Sequence, residues 1–338
     1  MNEYDISIII PAYNCESFIG QTIRSVLIQP SFSNIELLVI DDGSTDNTEL
    51  VCNNYSQLEN FSYCKIQNGG TGHARNIGIG LARGDWIIFL DHDDLIVYNS
   101  LNKILLDELK HFLKMNVDVV CCPYYNTDYY LKEKPIINDT TDDDNKVLLL
   151  RCFWANIFRK KFLIDNNCTF SEYRQFDIET AFRNVVNREK KNIVIKHNVI
   201  FYIHRDNAFS TMNTANYEMV YGAKALAYID LFKRYNDFEF YSYSFSLLLS
   251  YSKKCLKEKC YEDQCLHNLI RTKSKQLYKN KYWKKLMSDR KIRKWINRIT
   301  ICKALIFLKQ KKVLANKEKI SIEYLPFSAI EARYKKIQ

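Results

Sequence analysis

The stretch Asp5–Tyr13, DISIIIPAY, decides the fold. From Ile6 to Ile10 the run is almost wholly β-branched and does not alternate with polar residues. A strand with one wet face alternates, whereas an unbroken apolar run marks a strand covered on both faces. The following residues extend this reading. CESFIGQTIRSVLIQ (15–29) spaces Phe18, Ile19, Thr22, Ile23, Val26 and Leu27 as one stripe of a helix, and IELLVIDD (35–42) is a second strand. STDNTELVCNNYSQL (44–58) opens on Ser and Thr caps and reads as a helix, and FSYCKIQ (61–67) as a shorter strand. GTGHARNIGIGLARG (70–84) is a glycine-bounded loop and helix with Gly84 as its closing residue, and DWIIFLD (85–91) is a further strand. This β-α-β-α-β-α-β series predicts an α/β fold with a mostly parallel, Rossmann-like doubly wound sheet flanked by helices.

Further on, DDLIVYNSLNKILLDELKHFLK (93–114) reads as a helix and VDVVCCPYY (117–125) as a strand. The acidic stretch 138–145 reads as a solvated loop. Mixed helices and strands complete the domain to about residue 215, and Tyr- and Lys-rich helical segments fill 216–338. The expected organisation is an α/β domain over 1–215, with halves 1–100 and 101–215, and a basic helical region over 216–338.

The chain has 338 residues, 47% of them apolar, and a formal net charge of +10. Its eleven cysteines form no CxxC pair, and the spacing of Cys255, Cys260 and Cys265 matches no common zinc site, so reduced thiols in a cytoplasmic protein are expected. The N-terminus puts acidic residues before a very short apolar run, unlike a signal peptide. No window reaches the roughly 18 apolar residues of a membrane span. A soluble or peripheral protein is expected.

Open parallel sheets bind ligands at the carboxyl ends of their strands. Three predicted strands end there on polar residues: Pro11-Ala12-Tyr13-Asn14, Asp41-Asp42-Gly43-Ser44 and Asp91-His92-Asp93-Asp94. The last places three carboxylates within four residues, where like charges repel and desolvation is costly. Asp94 alone suits an N-cap for the residues that follow. The remaining Asp-x-Asp suits a hard divalent cation, Mn²⁺ or Mg²⁺, shared with substrate phosphates.

These residues carry a family resemblance. ISIIIPAYNCESFIGQTIRSVLIQ (6–29), IELLVIDDGSTDNT (35–48) and NGGTGHARNIGIGLARGDWIIFLDHDD (68–94) resemble the N-terminal half of glycosyltransferase family 2, whose members are bacterial enzymes of the GT-A fold. The likeness continues less strictly through NIFRKKFL (156–163), FDIETAFRNVV (176–186) and YIHRDNAFS (202–210). The resemblance implies inverting transfer of a sugar from a nucleotide diphosphate. By position, Tyr13 would stack on uracil, with Pro11, Ala12 and Asn14 beside it. Asp41 or Asp42 would accept the uracil N3–H, with one of the two serving the turn at Gly43 instead. Gly70 would lie in the nucleotide-sugar site and Arg75 would pair with phosphate oxygens. Asp91 would hold the ribose or order its loop, and His92 fills the variable position. Asp93 would be the main metal ligand, with Asp91 and His204 as further candidates.

The same resemblance implies a general base ahead of a helix, opposite the leaving UDP. Asp177 in RQFDIETAF falls on the acting position, but Phe176 stands where the family has Glu, and Glu179 is the rival base. Asp177 also suits a plain N-cap. Trp154 and Asp94 are candidate acceptor contacts, and Trp154 reads equally well as core. The implied role is extension of a bacterial capsule, lipopolysaccharide or exopolysaccharide on a lipid-linked glycan. The alternatives are a non-catalytic sugar-nucleotide-binding protein or a transferase of another activated glycan unit.

From Arg271 to Lys312 there are sixteen Lys or Arg and one acid, Asp289. Ile292, Trp295, Ile299, Cys302 and Ile306 fall near one helical stripe. A basic amphipathic helix of this kind suits an anionic membrane surface, here the inner face of the cell membrane. A helical hairpin packed on the domain, or a dimer contact, would use the same pattern. No nucleic-acid-binding module is recognisable, so nucleic acid is not an expected partner.

Overall fold

The computed structural model describes residues 3–128, 131, 136–138, 152–171, 178–189, 194–206, 217–258, 269, 270, 272–274, 277, 281 and 282. The expected alternation appears as β1 (Tyr4–Ala12), α1 (Ile19–Leu27), β2 (Ile35–Asp41), α2 (Thr48–Asn53), β3 (Phe61–Lys65), α3 (Thr71–Leu81) and β4 (Gly84–Phe89). All seven residues of β2 are buried, as are eight of the nine in β1, so the unbroken apolar runs do reflect cover on both faces. β1 lies between β2 and β4, parallel to both. The register pairs Ala12 with Asp41 and Ile9 with Phe89, so β1 and β2 end level with each other and β4 ends beside Ile9, with all three loops leaving from the same edge of the sheet.

The second half adds β5 (Leu95–Ile96), α4 (Lys103–Lys114), β6 (Val119–Cys121), β7 (Tyr124–Asp128), β8 (Ile136–Asn138) and β9 (Asn156–Arg159). After these come α5 (Lys160–Asp165), α6 (Ile178–Glu189), β10 (Val194–Lys196) and β11 (Tyr202–Asp206). The main sheet runs β10-β6-β9-β4-β1-β2-β3, with β9 antiparallel to both its neighbours. A smaller sheet runs β5-β11-β7-β8. Phe89, Phe153, Phe158, Phe170 and Phe182 form a buried aromatic core, in which Phe170 and Phe182 stack at 4.2 Å.

Four local expectations are corrected. Residues 93–114 are not one helix: β5 comes first, Asn99 takes φ +59°, and α4 starts only after Asn102, whose side chain accepts from the N–H groups of Ile104 and Leu105. Residues 117–125 are not one strand, because β6 and β7 belong to different sheets. Ser44 and Thr45 do not cap α2, where Asp46 accepts from Thr48 N–H at 3.0 Å and Glu16 from Asn47 N–H at 2.8 Å. Gly84 does not close α3 but begins β4. A Cβ there would lie 2.6 Å from the backbone of Ile6 and Ser7, so glycine is required by close approach of two strands.

Among the described residues, 3–171 and 182–206 belong to one compact unit, and 178–181 with those from 217 onward to a second. In the second unit, α7 (Tyr217–Tyr235) packs on α8 (Phe238–Glu258) through rings such as the stacked Tyr228 and Tyr243, 5.3 Å apart. Lys273 pairs there with Asp230 at 2.8 Å. No described helix is long and apolar enough to cross a membrane. The acidic stretch 139–145 and the basic stretch 283–312 lie outside the described residues.

Candidate active site

The three strand ends do converge. At the end of β1, Pro11 and Ala12 are buried and Tyr13 is 46% exposed. Asn14, at φ +45°, donates its N–H to Ser44 Oγ at 2.9 Å and accepts from Thr45 N–H at 2.8 Å. The two loops are thereby stitched together. At the end of β2 the two carboxylates divide their work. Asp41 is wholly buried, accepts Ser44 N–H at 2.7 Å and takes the Tyr63 hydroxyl on its other oxygen. Burial, then this bond, pushes the Tyr63 phenol up. Asp41 is therefore the member that serves the turn, which Gly43 completes at φ +81°. Asp42 accepts the N–H groups of Gly69 and Gly70, at 2.7 and 2.8 Å, and so holds the glycine loop ahead of α3 against the rim.

Arg75, on α3, is only 4% exposed. Its Nη2 meets Asp91 Oδ1 at 2.6 Å, and its guanidinium lies 4.8 Å from the Phe153 ring centre and 5.3 Å from that of Phe170. Its Nε is buried without a hydrogen-bond partner. A desolvated guanidinium held by one carboxylate and two ring faces keeps donor capacity for a further anion. The positive charge that the acidic cluster demands is thus supplied first by the chain itself.

Asp94 is neither a helix cap nor an acceptor contact: it is 1% exposed and faces inward. It accepts from Tyr202 Oη at 2.6 Å, Arg205 N–H at 2.8 Å and His204 Nδ1 at 3.2 Å. Burial nevertheless raises its pKa. Burial lowers the His204 imidazole, but the bond to Asp94 and the Asp94 charge outweigh it and bring it to about 9. With three donors aimed at Asp94, the arrangement favours carboxylate beside imidazolium. Thr22 Oγ1 bonds the carbonyls of His92 and Asp94 at 2.7 and 2.9 Å. Arg205 Nε donates to the Asp93 carbonyl, and its Nη1 to Gln21 at 2.9 Å. The loop 91–94 is clamped from α1 on one side and β11 on the other, with half-buried Asp91, His92 and Asp93 left at the rim.

Trp154 belongs to the core reading. It is 9% exposed, stacked on His204 at 5.0 Å and packed against Tyr202 at 4.5 Å and Tyr124 at 4.6 Å, so its faces are taken. Glu179 lies half-buried in the first turn of α6, and Asp177 lies outside the described residues. The residues missed from sequence are Thr22, Gln21, Tyr63 and Tyr202. Thr22 did leave a signal, as the one polar member of an otherwise apolar helical stripe.

No group of three metal-capable side chains occurs among the described residues, and the His204 ring nitrogens face Asp94 and Asp206. A preformed protein cage is therefore not present among them. The chemistry of half-buried Asp93 and Asp91 is that of ligands for a hard cation that brings most of its own oxygen ligands on a diphosphate, and these two residues would hold it.

Residues 7–171 match the family model of Glycosyl transferase family 2. The minor teichoic acid biosynthesis protein GgaB of Bacillus subtilis (strain 168) is 30% identical over 263 residues, covering 70% of this chain and 28% of GgaB. The glycosyltransferase GlyG of Streptococcus pneumoniae is 27% identical over 231 residues, 62% of this chain and 73% of GlyG. Among solved structures, S. aureus TarS 1–349 superposes with a TM-score of 0.59 at 18% identity, covering 99% of this chain and 92% of that one. TarS 1–349 in complex with UDP-GlcNAc gives 0.57 over the same shares. At that identity the likeness fixes the fold, a GT-A-like α/β sheet.

Proposed function

This chain belongs, through residues 7–171, to glycosyl transferase family 2, and from that premise we propose that it transfers a sugar from a UDP-sugar to a glycan with inversion. The observation that carries the reading is the rim. Three parallel strands are followed by Tyr13, Asp42 and Asp93, the buried Arg75 cation of α3 pairs with Asp91 of the third loop, and TarS of the same fold has been solved with UDP-GlcNAc.

In this reading Tyr13, exposed beside the Asp42-held glycine loop, stacks on uracil, and Asp42 contributes the carboxylate edge of that pocket. Arg75 gives its unused donors to the diphosphate, exchanging part of its bond to Asp91 for a dianion. Mn²⁺ or Mg²⁺, bound through Asp93 and Asp91, would supply further neutralisation of the leaving group. Asp177 takes the proton of an acceptor hydroxyl while that oxygen attacks the anomeric carbon from the face opposite UDP, and the glycosidic electron pair leaves with UDP. Glu179 is the alternative base. The kinship with GgaB, named for teichoic acid biosynthesis, supports a bacterial cell-surface polymer as the acceptor class; the strongly basic residues 271–312 are what suggest a lipid-linked form of it at the inner face of the membrane. Phe176 at the position of the family's Glu favours one second reading, a sugar-nucleotide-binding protein without transfer.

Calorimetric titration with UDP, with and without Mn²⁺, tests the site. UDP should bind the wild type in a metal-dependent manner and lose that dependence in Asp93→Asn. No binding in either condition ends the reading. Asp177→Asn should keep UDP affinity while losing transfer, and an unaltered rate would remove Asp177 from the base role.

A further inference from the structure

The buried Arg75 guanidinium has to be held at a fixed height for its unused donors to meet a phosphate, and α3 alone does not hold it there. Its lateral support is the pair of rings from Phe153 and Phe170. Phe170 has no strand or helix of its own: it follows α5 in an irregular segment, Cys168 to Ser171. What fixes it is Asn76, the residue next to Arg75. The Asn76 amide donates through Nδ2 to the Phe170 carbonyl at 3.0 Å and accepts Phe170 N–H through Oδ1 at 2.8 Å. Both partners are buried, at 1% and 0% exposure, and are 94 residues apart in sequence. The side chain replaces the missing strand neighbour and satisfies both backbone groups of Phe170. Behind Phe170, the parallel Phe182 ring at 4.2 Å prevents retreat.

We propose that Asn76 is a positioning residue for diphosphate recognition: by clamping the Phe170 backbone it sets the aromatic floor on which Arg75 presents its guanidinium. The proposal rests on the UDP-sugar reading above. Arg75 and Asn76 are consecutive on α3, so one turn of helix carries both the cation and the clamp that builds its floor. Misplacement of a charged donor by a fraction of an ångström weakens a bidentate phosphate contact steeply, whereas stacking of the base on Tyr13 depends on neither residue.

The test compares UDP with uridine, which lacks the phosphates, by calorimetry and by competition against UDP. The proteins are the wild type, Asn76→Ala, Asn76→Asp, Arg75→Lys and the double variant Arg75→Lys/Asn76→Ala. The Asn76 variants should weaken UDP by about tenfold while leaving uridine within about twofold. The double variant should be no weaker for UDP than Arg75→Lys alone, because both changes act on one contact. Equal losses for UDP and uridine, or additive losses in the double variant, would overturn the proposal. So would an Asn76→Ala protein with a lowered melting temperature and unchanged UDP affinity. If neither Asn76 variant folds, the clamp belongs to folding and the positioning role falls. Wild-type protein that binds no UDP overturns the donor reading and this proposal together, whereas UDP binding without the Asn76 effect overturns this proposal alone.

Discussion

Asp93 and Asp94 are chain neighbours with opposite surroundings, and their substitution should separate stability from binding. Removing the Asp94 carboxylate leaves the Tyr202 hydroxyl, the Arg205 N–H and His204 without their shared acceptor. Each buried donor left unsatisfied, here the Tyr202 hydroxyl and the Arg205 N–H, costs on the order of 1–3 kcal/mol. Asp94→Ala should therefore lower unfolding stability by about 3 kcal/mol or more, read from the urea midpoint at unchanged slope. Asp93 stands half-buried at the rim, and Asp93→Asn should shift the same midpoint by less than about 1 kcal/mol while abolishing metal-dependent UDP binding. Equal stability losses for the two would mean that Asp94 is not the residue that ties β11 to the loop.

At the scale of elements, two glycines set close contacts of α3 and β4 with β1. A Cβ on Gly78 of α3 would collide with Ile9 Cγ2, and one on Gly84 would meet backbone atoms of Ile6 and Ser7 at 2.6 Å. A side-chain methyl can shift, whereas a paired strand's backbone cannot. Overpacking of about 1–3 kcal/mol is expected for Gly78→Ala, and a larger loss for Gly84→Ala, checked by denaturation of both variants beside the wild type. The reverse order would mean that α3 docks on β1 more rigidly than β4 pairs with it. The same contacts explain which elements were legible. A strand covered on both faces writes its burial into an unbroken local run, so β1, β2 and β4 could be read directly. β5 could not: Val97, Leu101, Ile104 and Leu105 keep helical spacing across the segment, and the strand exists because Ile96 pairs with Tyr202, far along the chain. The site divides likewise. Which residue types stand at the rim was readable from strand ends. That Asp94 turns inward, that Asp41 rather than Asp42 serves the turn, and that Trp154 stacks between rings all follow from partners in other elements.

At the scale of the whole molecule, the charge distribution makes the last prediction. The formal charge is +10, yet residues 271–312 hold sixteen basic side chains against one acid, so the remainder of the chain is net acidic. An enzyme that meets a lipid-linked acceptor gains from a surface that concentrates it at the membrane, and basic residues contribute about 1 kcal/mol each near an anionic leaflet. The full chain should float with vesicles containing an anionic phospholipid and stay behind with zwitterionic ones. The attraction should fade as salt shortens the screening length from about 30 Å at 0.01 M to about 8 Å at 0.15 M. Replacing Lys284, Lys285, Lys291, Arg293, Lys294 and Arg298 by Gln lowers the net charge from +10 to +4 and should abolish flotation without changing UDP affinity. If that variant floats as well as the wild type, the tail's charge serves another contact, and membrane recruitment must come from elsewhere. If it loses UDP binding too, the basic segment supports the donor domain rather than a lipid surface.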